Sequence, residues 1–245
     1  MCTLAVAVGA DRRWPIVVAA NRDERLGRAA EPFALREGPE GVRYAAPRDL
    51  VAGGTWIGVS DRGVFAALTN FHAPVGWYPD PARRSRGELV PLALAEPTAV
   101  AARDRLAPLD LGRWNPFHLV VADVRGAFVV WYDGERAGTE ALAPGLHVVT
   151  ENAWDGRCPR AELVRARWPV TPSVERLREI LTIHAAPPAP ATCIHLDPVY
   201  GTRSSAILRL APALADSELY EADGRPCAAP YEDRSALLAA LARTA

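Results

Sequence analysis

Lysine and glutamine are both missing from the 245 residues, so all 28 basic side chains are arginine. Their absence removes every catalytic role that needs a lysine amine. With so much Ala, Gly and Pro around it, the bias reads as the imprint of a GC-rich gene. No apolar run approaches the roughly 20 residues of a membrane-spanning helix. The first residues, MCTLAVAVGADRRW, have no basic segment before their apolar run and no cleavage pattern after it. The expectation is a cytoplasmic protein with no signal peptide. Cysteine is scarce. Cys2, Cys158, Cys193 and Cys227 are widely scattered with no CxxC pair, so neither a zinc site nor a disulfide framework is expected. In a reducing compartment they are free thiols. The formal net charge of -1 gives no electrostatic reason to expect nucleic acid or an anionic membrane as partner. G-x-S-x-G, a phosphate loop and H-E-x-x-H are all absent.

What remains is ordinary globular composition, with 49% hydrophobic and 23% charged residues. No linker-like stretch interrupts it, so residues 1–245 read as a single domain. Apolar runs at Thr3 to Val8 and Ile16 to Ala20 flank the turn residues Gly9 to Pro15 and predict an N-terminal hairpin. Thr55 to Ser60 with Val64 to Thr69, and Phe117 to Ala122 with Phe128 to Tyr132, predict two more. Leu146 to Thr150 and Ser204 to Leu210 are further strands. Ser85 is placed to cap a helix from Arg86 through Leu94, weakened by Pro91. Ala161 to Trp168 and Arg234 to Arg243 read as short helices. Thr171 before Pro172 is a helix start, with Val174, Leu177, Ile180 and Leu181 on one buried face. Pro187, Pro188 and Pro190 mark an exposed loop. Strand pairs interleaved with helices predict antiparallel sheets covered by helices, in one sheet or two.

Several residues offer chemistry. Position 2 is small enough to permit removal of Met1, leaving Cys2 with a thiol and a free α-amine. Their ordinary pKa values, about 8.5 and about 7.7–8.0, let the amine take the thiol proton near pH 8. Asn21-Arg22-Asp23-Glu24 follows the second apolar run, beside Cys2 if the two runs pair. Alternation puts Asn21 and Asp23 on one face and Arg22 on the other, and a carboxylate there would hold the ammonium. Gly53-Gly54-Thr55-Trp56 and Asn70 lie at strand ends, where an N–H can meet an oxyanion. Thr150-Glu151-Asn152 and Tyr200-Gly201-Thr202-Arg203 set polar residues just beyond apolar runs. Each taken alone also reads as ordinary turn or cap chemistry. The histidines form no spaced set, and Cys193-Ile194-His195 is weak as a metal or haem ligand pattern. No metal is expected.

In combination these segments are more specific. Met1-Cys2, Ala20 to Glu24, Gly53 to Gly58, Ala66 to Asn70, Arg86 to Val90, Asn152 and Tyr200 to Arg203 stand in the order that marks the NRDE family, the Transport and Golgi organisation protein two family. The chain resembles it from Met1 to about Leu208. That family is similar to cysteine N-terminal-nucleophile hydrolases such as choloylglycine hydrolase and penicillin V acylase. The resemblance implies an α+β fold, a four-layer αββα sandwich of two antiparallel sheets. It implies Cys2 as nucleophile, Asp23 at its amine, Asn70 and Asn152 at the oxyanion hole, and Arg203 as the late active-site arginine. Ala20 stands where those hydrolases typically carry an arginine. Arg22 is the nearest substitute, but alternation is expected to point it the wrong way, so bile-salt or penicillin-type substrates do not carry over. Asn21, Arg22, Trp56 and Phe71 are expected to contact the substrate, with Trp77 and Tyr78 lining an apolar pocket. Two functions follow: a hydrolase or acyltransferase on a non-peptide amide or thioester, or a carrier. The family's links to haem trafficking and to lipid or acyl-CoA homeostasis suggest haem or an acyl chain as the carried ligand. A small molecule is the expected partner, and no resident cofactor is implied.

Overall fold

A computed structural model describes residues 2–72, 79–186 and 188–243. Pro187, Trp77 and Tyr78 fall outside these. In chain order the strands are β1 (Cys2–Val8), β2 (Ile16–Arg25), β3 (Ala30–Glu37), β4 (Arg43–Asp49), β5 (Ile57–Ser60), β6 (Phe65–Asn70), β7 (Phe117–Asp123), β8 (Gly126–Tyr132), β9 (Ala137–Leu142), β10 (Gly145–Thr150), β11 (His195–Leu196), β12 (Tyr200–Leu210), β13 (Glu218–Ala222) and β14 (Glu232–Asp233). The helices are α1 (Leu89–Leu94), α2 (Ala99–Leu106), α3 (Pro159–Arg167), α4 (Val174–Leu181) and α5 (Ser235–Ala242).

All pairings between these strands are antiparallel and fall into two seven-stranded sheets. One runs β10-β1-β2-β12-β13-β14 with β11 on β12, and the other runs β3 through β9 in sequence order. Alternation along each strand sorts apolar side chains into separate cores. Leu4, Val6, Val18 and Ala20 face Ile57, Phe65, Ala67 and Val120 between the sheets. Ala5, Val17 and Ile207 face away, against α3 and α4 through Val164, Leu177 and Leu181. Ala66, Leu119 and Val121 pack on α1 and α2 through Leu89, Leu94 and Leu106. The result is the four-layer αββα sandwich, with each sheet buried on both faces. Among the described residues no helix is long and apolar enough to cross a membrane.

The three predicted hairpins form. The differences are local. β2 does not stop at Ala20 but continues to Arg25, because the sheet neighbour β12 runs alongside it as far as Tyr200. Ser173, rather than Thr171, caps α4, accepting from Arg176 N–H, and Thr98 caps α2, which has no clear sequence signal. Ser85 makes no side-chain cap, and Arg86–Glu88 is a single 3-10 turn ahead of α1. β3 and β9 escape notice in sequence because they are sheet edges with few buried side chains.

Candidate active site

The tetrad Asn21 to Glu24 lies within β2, not in a solvated turn, and Asn21, Arg22 and Asp23 are buried. Register decides what each can do. Cys2 pairs with Arg22 across the β1–β2 ladder, so the two side chains share the face toward the other sheet. Arg22 therefore points into the cleft beside Cys2, contrary to the expectation from alternation. That expectation fixed the relative faces of residues 21 to 23 but not which of them Cys2 would share.

Asn21 belongs to the opposite face. Its Nδ2 donates to the carbonyls of Leu181 (2.9 Å) and Thr192 (2.8 Å), and the residue is fully buried. It ties the end of α4 and the following loop to the sheet, and it does not line the Cys2 cleft.

A cleft of about 600 Å³ opens where β1, β2 and β12 meet the ends of β4 and β6. Cys2, Arg22, Asp23, Trp56, Asn70 and Arg203 all line it. Cys2 Sγ lies 4.0 Å from the carbonyl oxygen of Asp23, and burial raises its pKa above the ordinary thiol range. The same carbonyl accepts from Tyr200 Oη at 2.8 Å. Asp23 Oδ1 accepts a 2.6 Å hydrogen bond from Thr202 Oγ1. Its Oδ2 has no hydrogen-bond partner among the described residues. Burial dominates and pushes the Asp23 carboxyl up to about 7, against the N-terminal ammonium first, then the Thr202 hydrogen bond and the Arg160 charge. A carboxylate so placed favours a cation at its free oxygen.

Two expected residues lie elsewhere. Asn152 is not on the Cys2 cleft. It borders a smaller cavity of about 250 Å³, and its Nδ2 donates to Glu151 at 3.2 Å. The adjacent Glu151 turns inward instead, buried and paired with Arg160 at 2.8 Å. The one-residue shift places the acid, not the amide, on the side of Cys2. Phe71 packs its ring on His118, 5.0 Å between centroids, and is not a cleft wall.

Arg86 is the cleft residue that sequence reasoning missed. Glu88 pairs with Arg84 at the surface. Arg86 itself lines the cleft, and Nη1 donates to the Pro116 carbonyl at 2.9 Å. Among the described residues it has no carboxylate partner, and burial pulls its pKa down to about 10. The turn is held by a second motif. A Cβ on Gly54 would stand 2.6 Å from the Gly87 carbonyl carbon, and Thr55 N–H donates to Gly87 O at 3.1 Å. The two glycine motifs are one backbone contact, which sets Arg86 in the wall. Arg22 by contrast is paired, 3.1 Å from Asp49, and Arg203 pairs with Asp223 at 3.0 Å.

A family profile for Transport and Golgi organisation 2 matches residues 1–170. The chain belongs to that family. It is 29% identical over 236 residues to the bovine Transport and Golgi organization protein 2 homolog, covering 80% of this chain and 82% of the bovine one. The mouse homolog is 31% identical over 157 residues, which is 59% of this chain and 55% of the mouse one. Among solved structures the fold is similar to a penicillin V acylase from Agrobacterium tumefaciens, with TM-score 0.58 and 14% identity, covering 97% of this chain and 88% of that one. It is similar also to the Caenorhabditis elegans ortholog of N-acylethanolamine-hydrolyzing acid amidase, with TM-score 0.58 and 16% identity, covering 88% and 96%. These likenesses establish the N-terminal-nucleophile hydrolase fold for this family member.

Proposed function

We propose that the protein is an N-terminal-nucleophile cysteine hydrolase or acyltransferase acting on a non-peptide amide or thioester. The observation that carries this reading is the pairing of Cys2 at a cleft wall with a buried Asp23 carboxylate whose Oδ2 is unpartnered among the described residues. With Met1 removed, the new α-ammonium of Cys2 is the cation that oxygen is suited to hold. In its neutral form the amine takes the thiol proton as Sγ attacks the substrate carbonyl. The resulting ammonium returns that proton to the departing amine or thiol, and water or an acyl acceptor then cleaves the thioester left on Cys2. Asn70, at the end of β6 on the same cleft, is the donor available to the developing oxyanion. Arg86 supplies a buried positive charge to an acidic group on the substrate, and Arg203 guides it at the rim. The penicillin V acylase and the acid amidase on this fold act on amides by their names, which supports the reaction class.

The alternative is a non-catalytic carrier of haem or an acyl lipid in the cytoplasm. The cleft wall favours the first reading, because arginines and carboxylates alternate along it and an acyl chain prefers apolar walls. Site-resolved iodoacetamide labelling against pH separates the two, using protein whose intact mass lacks Met1. The enzyme reading expects Cys2 to react ahead of the exposed Cys227, with Asp23→Asn altering the rate in folded protein. A Cys2 rate no faster than a model thiol, unchanged by Asp23→Asn, would leave the carrier as the better reading.

A further inference from the structure

The fold gathers four residues from three segments on the far side of β12 from the Cys2 cleft. Cys193 lies two residues ahead of His195, the first residue of β11. His184 follows α4, and Cys227 lies in the loop between β13 and β14. Cys193 Sγ is 3.4 Å from His195 Nε2 and 3.7 Å from Cys227 Sγ. Cys227 Sγ is likewise 3.4 Å from His195 Nε2. The ligand atoms of His184, His195 and Cys227 all lie within 4.8 Å of one another.

These spacings have a simple geometric meaning. A tetrahedral zinc ion has Zn–S near 2.3 Å and Zn–N near 2.0–2.1 Å, which makes its S···S edge about 3.8 Å and its S···N edges about 3.6 Å. The three measured edges fall within about 0.2 Å of those values. The fourth arm, His184, is already oriented. A carbonyl can only accept, so the 3.1 Å contact of His184 Nδ1 with Thr182 O fixes the proton on Nδ1 and frees the Nε2 lone pair. Ligating histidines are habitually held by such a backbone carbonyl.

We propose that Cys193, Cys227, His184 and His195 form a Cys2His2 zinc site. Two thiolates and two imidazoles are the donor set of a closed, structural zinc centre. Binding releases the two thiol protons to solvent, with no change of oxidation state. The ion would staple the segment after α4 to the β13–β14 loop. That segment also serves the cleft: Thr192 O accepts from Asn21, and Ile194 N–H donates to Thr202 Oγ1, which in turn donates to Asp23. The staple therefore fixes the chain that positions Asp23 without itself touching the cleft.

The test uses untagged full-length protein purified without chelators. Elemental analysis is expected to find about one zinc per chain. Replacing it with Co2+ is expected to give the intense red-region bands of tetrahedral cobalt and a near-ultraviolet thiolate charge-transfer band. These readings need no variant, so misfolding cannot obscure them. Loss of an outer-shell partner costs about 10–100-fold in metal affinity, so Cys227→Ser and His195→Ala should each cost at least about 100-fold. Cys2→Ala should leave the cobalt spectrum intact, which separates this site from the nucleophile reading. Protein with no bound zinc, an octahedral cobalt spectrum, recovery of Cys193 and Cys227 as a disulfide, or undiminished cobalt binding in Cys227→Ser would each overturn the assignment.

Discussion

Asp23→Asn tests the physics of the site before any substrate is known. In the chain that retains Met1, Asp23 is 3% exposed, and its carboxyl is pushed from 3.8 up to about 7, with burial the leading cause. The unfolded chain ionises it near 3.8, so between these values folding takes up a proton and stability falls as pH rises. The contribution is whole below about 3.8 and gone above about 7. At about 1.4 kcal/mol per pH unit, the interval from pH 5 to pH 8 removes roughly 3 kcal/mol. Asparagine keeps the shape and an acceptor for Thr202 but cannot ionise. Relative to wild type, the variant should therefore gain roughly 2–3 kcal/mol between pH 5 and pH 8, or about 5–10 °C in Tm for a domain of this size. Urea unfolding of both proteins at the two pH values measures this, and the difference cancels other groups such as Glu221, which burial also raises to about 7. A ΔΔG that stays constant within about 0.5 kcal/mol would refute the reasoning. In mature protein, the Cys2 ammonium beside the carboxylate should pull Asp23 back toward its ordinary range, and the pH dependence should shrink. Comparing the two forms thus reports whether the amine and Asp23 pair.

Three further substitutions test separate parts of the argument. Gly54→Ala drives a Cβ into the Gly87 backbone and should cost about 1–3 kcal/mol; an unchanged Tm would mean the two turns are not in tight contact. Asn21→Ala strands the carbonyls of Leu181 and Thr192 and should cost about 2–5 kcal/mol; a loss below about 1 kcal/mol would deny it the structural role. Arg86→Gln should weaken binding of anionic ligands by about 10-fold or more with little change in stability, read by calorimetry with a small dicarboxylate, and equal affinity in both proteins would remove Arg86 from substrate binding.

The strands with continuous apolar runs, β1, β2, β7 and β8, were legible in sequence because both faces are buried. The order of the motifs then pointed to the two-sheet sandwich. Asp23, Asn70 and Arg203 reach one cleft with Cys2, as the resemblance implied. What could not be read was handedness of placement: which side of β2 Cys2 would share. That is set by the β1–β2 register, and a one-residue change of register exchanges the faces. Arg22 reaches the cleft and Asn21 does not for this reason. Asn152 was displaced by the same logic, one position along from the buried Glu151. Arg86 was hidden because its motif reads as a helix start, and only the contact of the neighbouring Gly87 with Gly54 sets it in the cleft wall. Of the cysteine–histidine cluster only Cys193-Ile194-His195 stood out in sequence, as a weak ligand pattern; the four ligands are spaced by 8, 1 and 31 intervening residues, and no local spacing encodes a meeting made by β12 and β13.

The extent of the family match gives that cluster its significance. The profile ends at residue 170, yet Asp23 is held by Thr202, and its carbonyl accepts from Tyr200. Both donors come from β12, beyond the matched stretch, delivered because β12 pairs with β2 along its whole polar end. The pairing is not regular there. A register shift falls between Thr202 and Ser204, and Arg203 sits within it. Such a bulge re-aims side chains and twists the strand locally, which allows Thr202 to face Asp23 while Arg203 turns to the cleft. A bulge also weakens its ladder, so the positions of Thr202 and Arg203 depend on what braces the outer side of β12. That brace is β11 and the preceding segment, through His195 opposite Gly201 and Ile194 N–H on Thr202. β11 has only two residues and cannot be stable by its own ladder. Zinc at Cys193, His195, His184 and Cys227 would supply the missing rigidity at that point. Removing the metal should therefore loosen Thr202 and raise the rate at which Cys2 labelling loses its dependence on Asp23, while leaving the β1–β2 ladder intact. Hydrogen exchange on metal-loaded and metal-free protein reads this directly: amide protection should fall at 194–203 and hold at 3–8, and equal losses in both segments would show that the ion supports the whole fold rather than this edge.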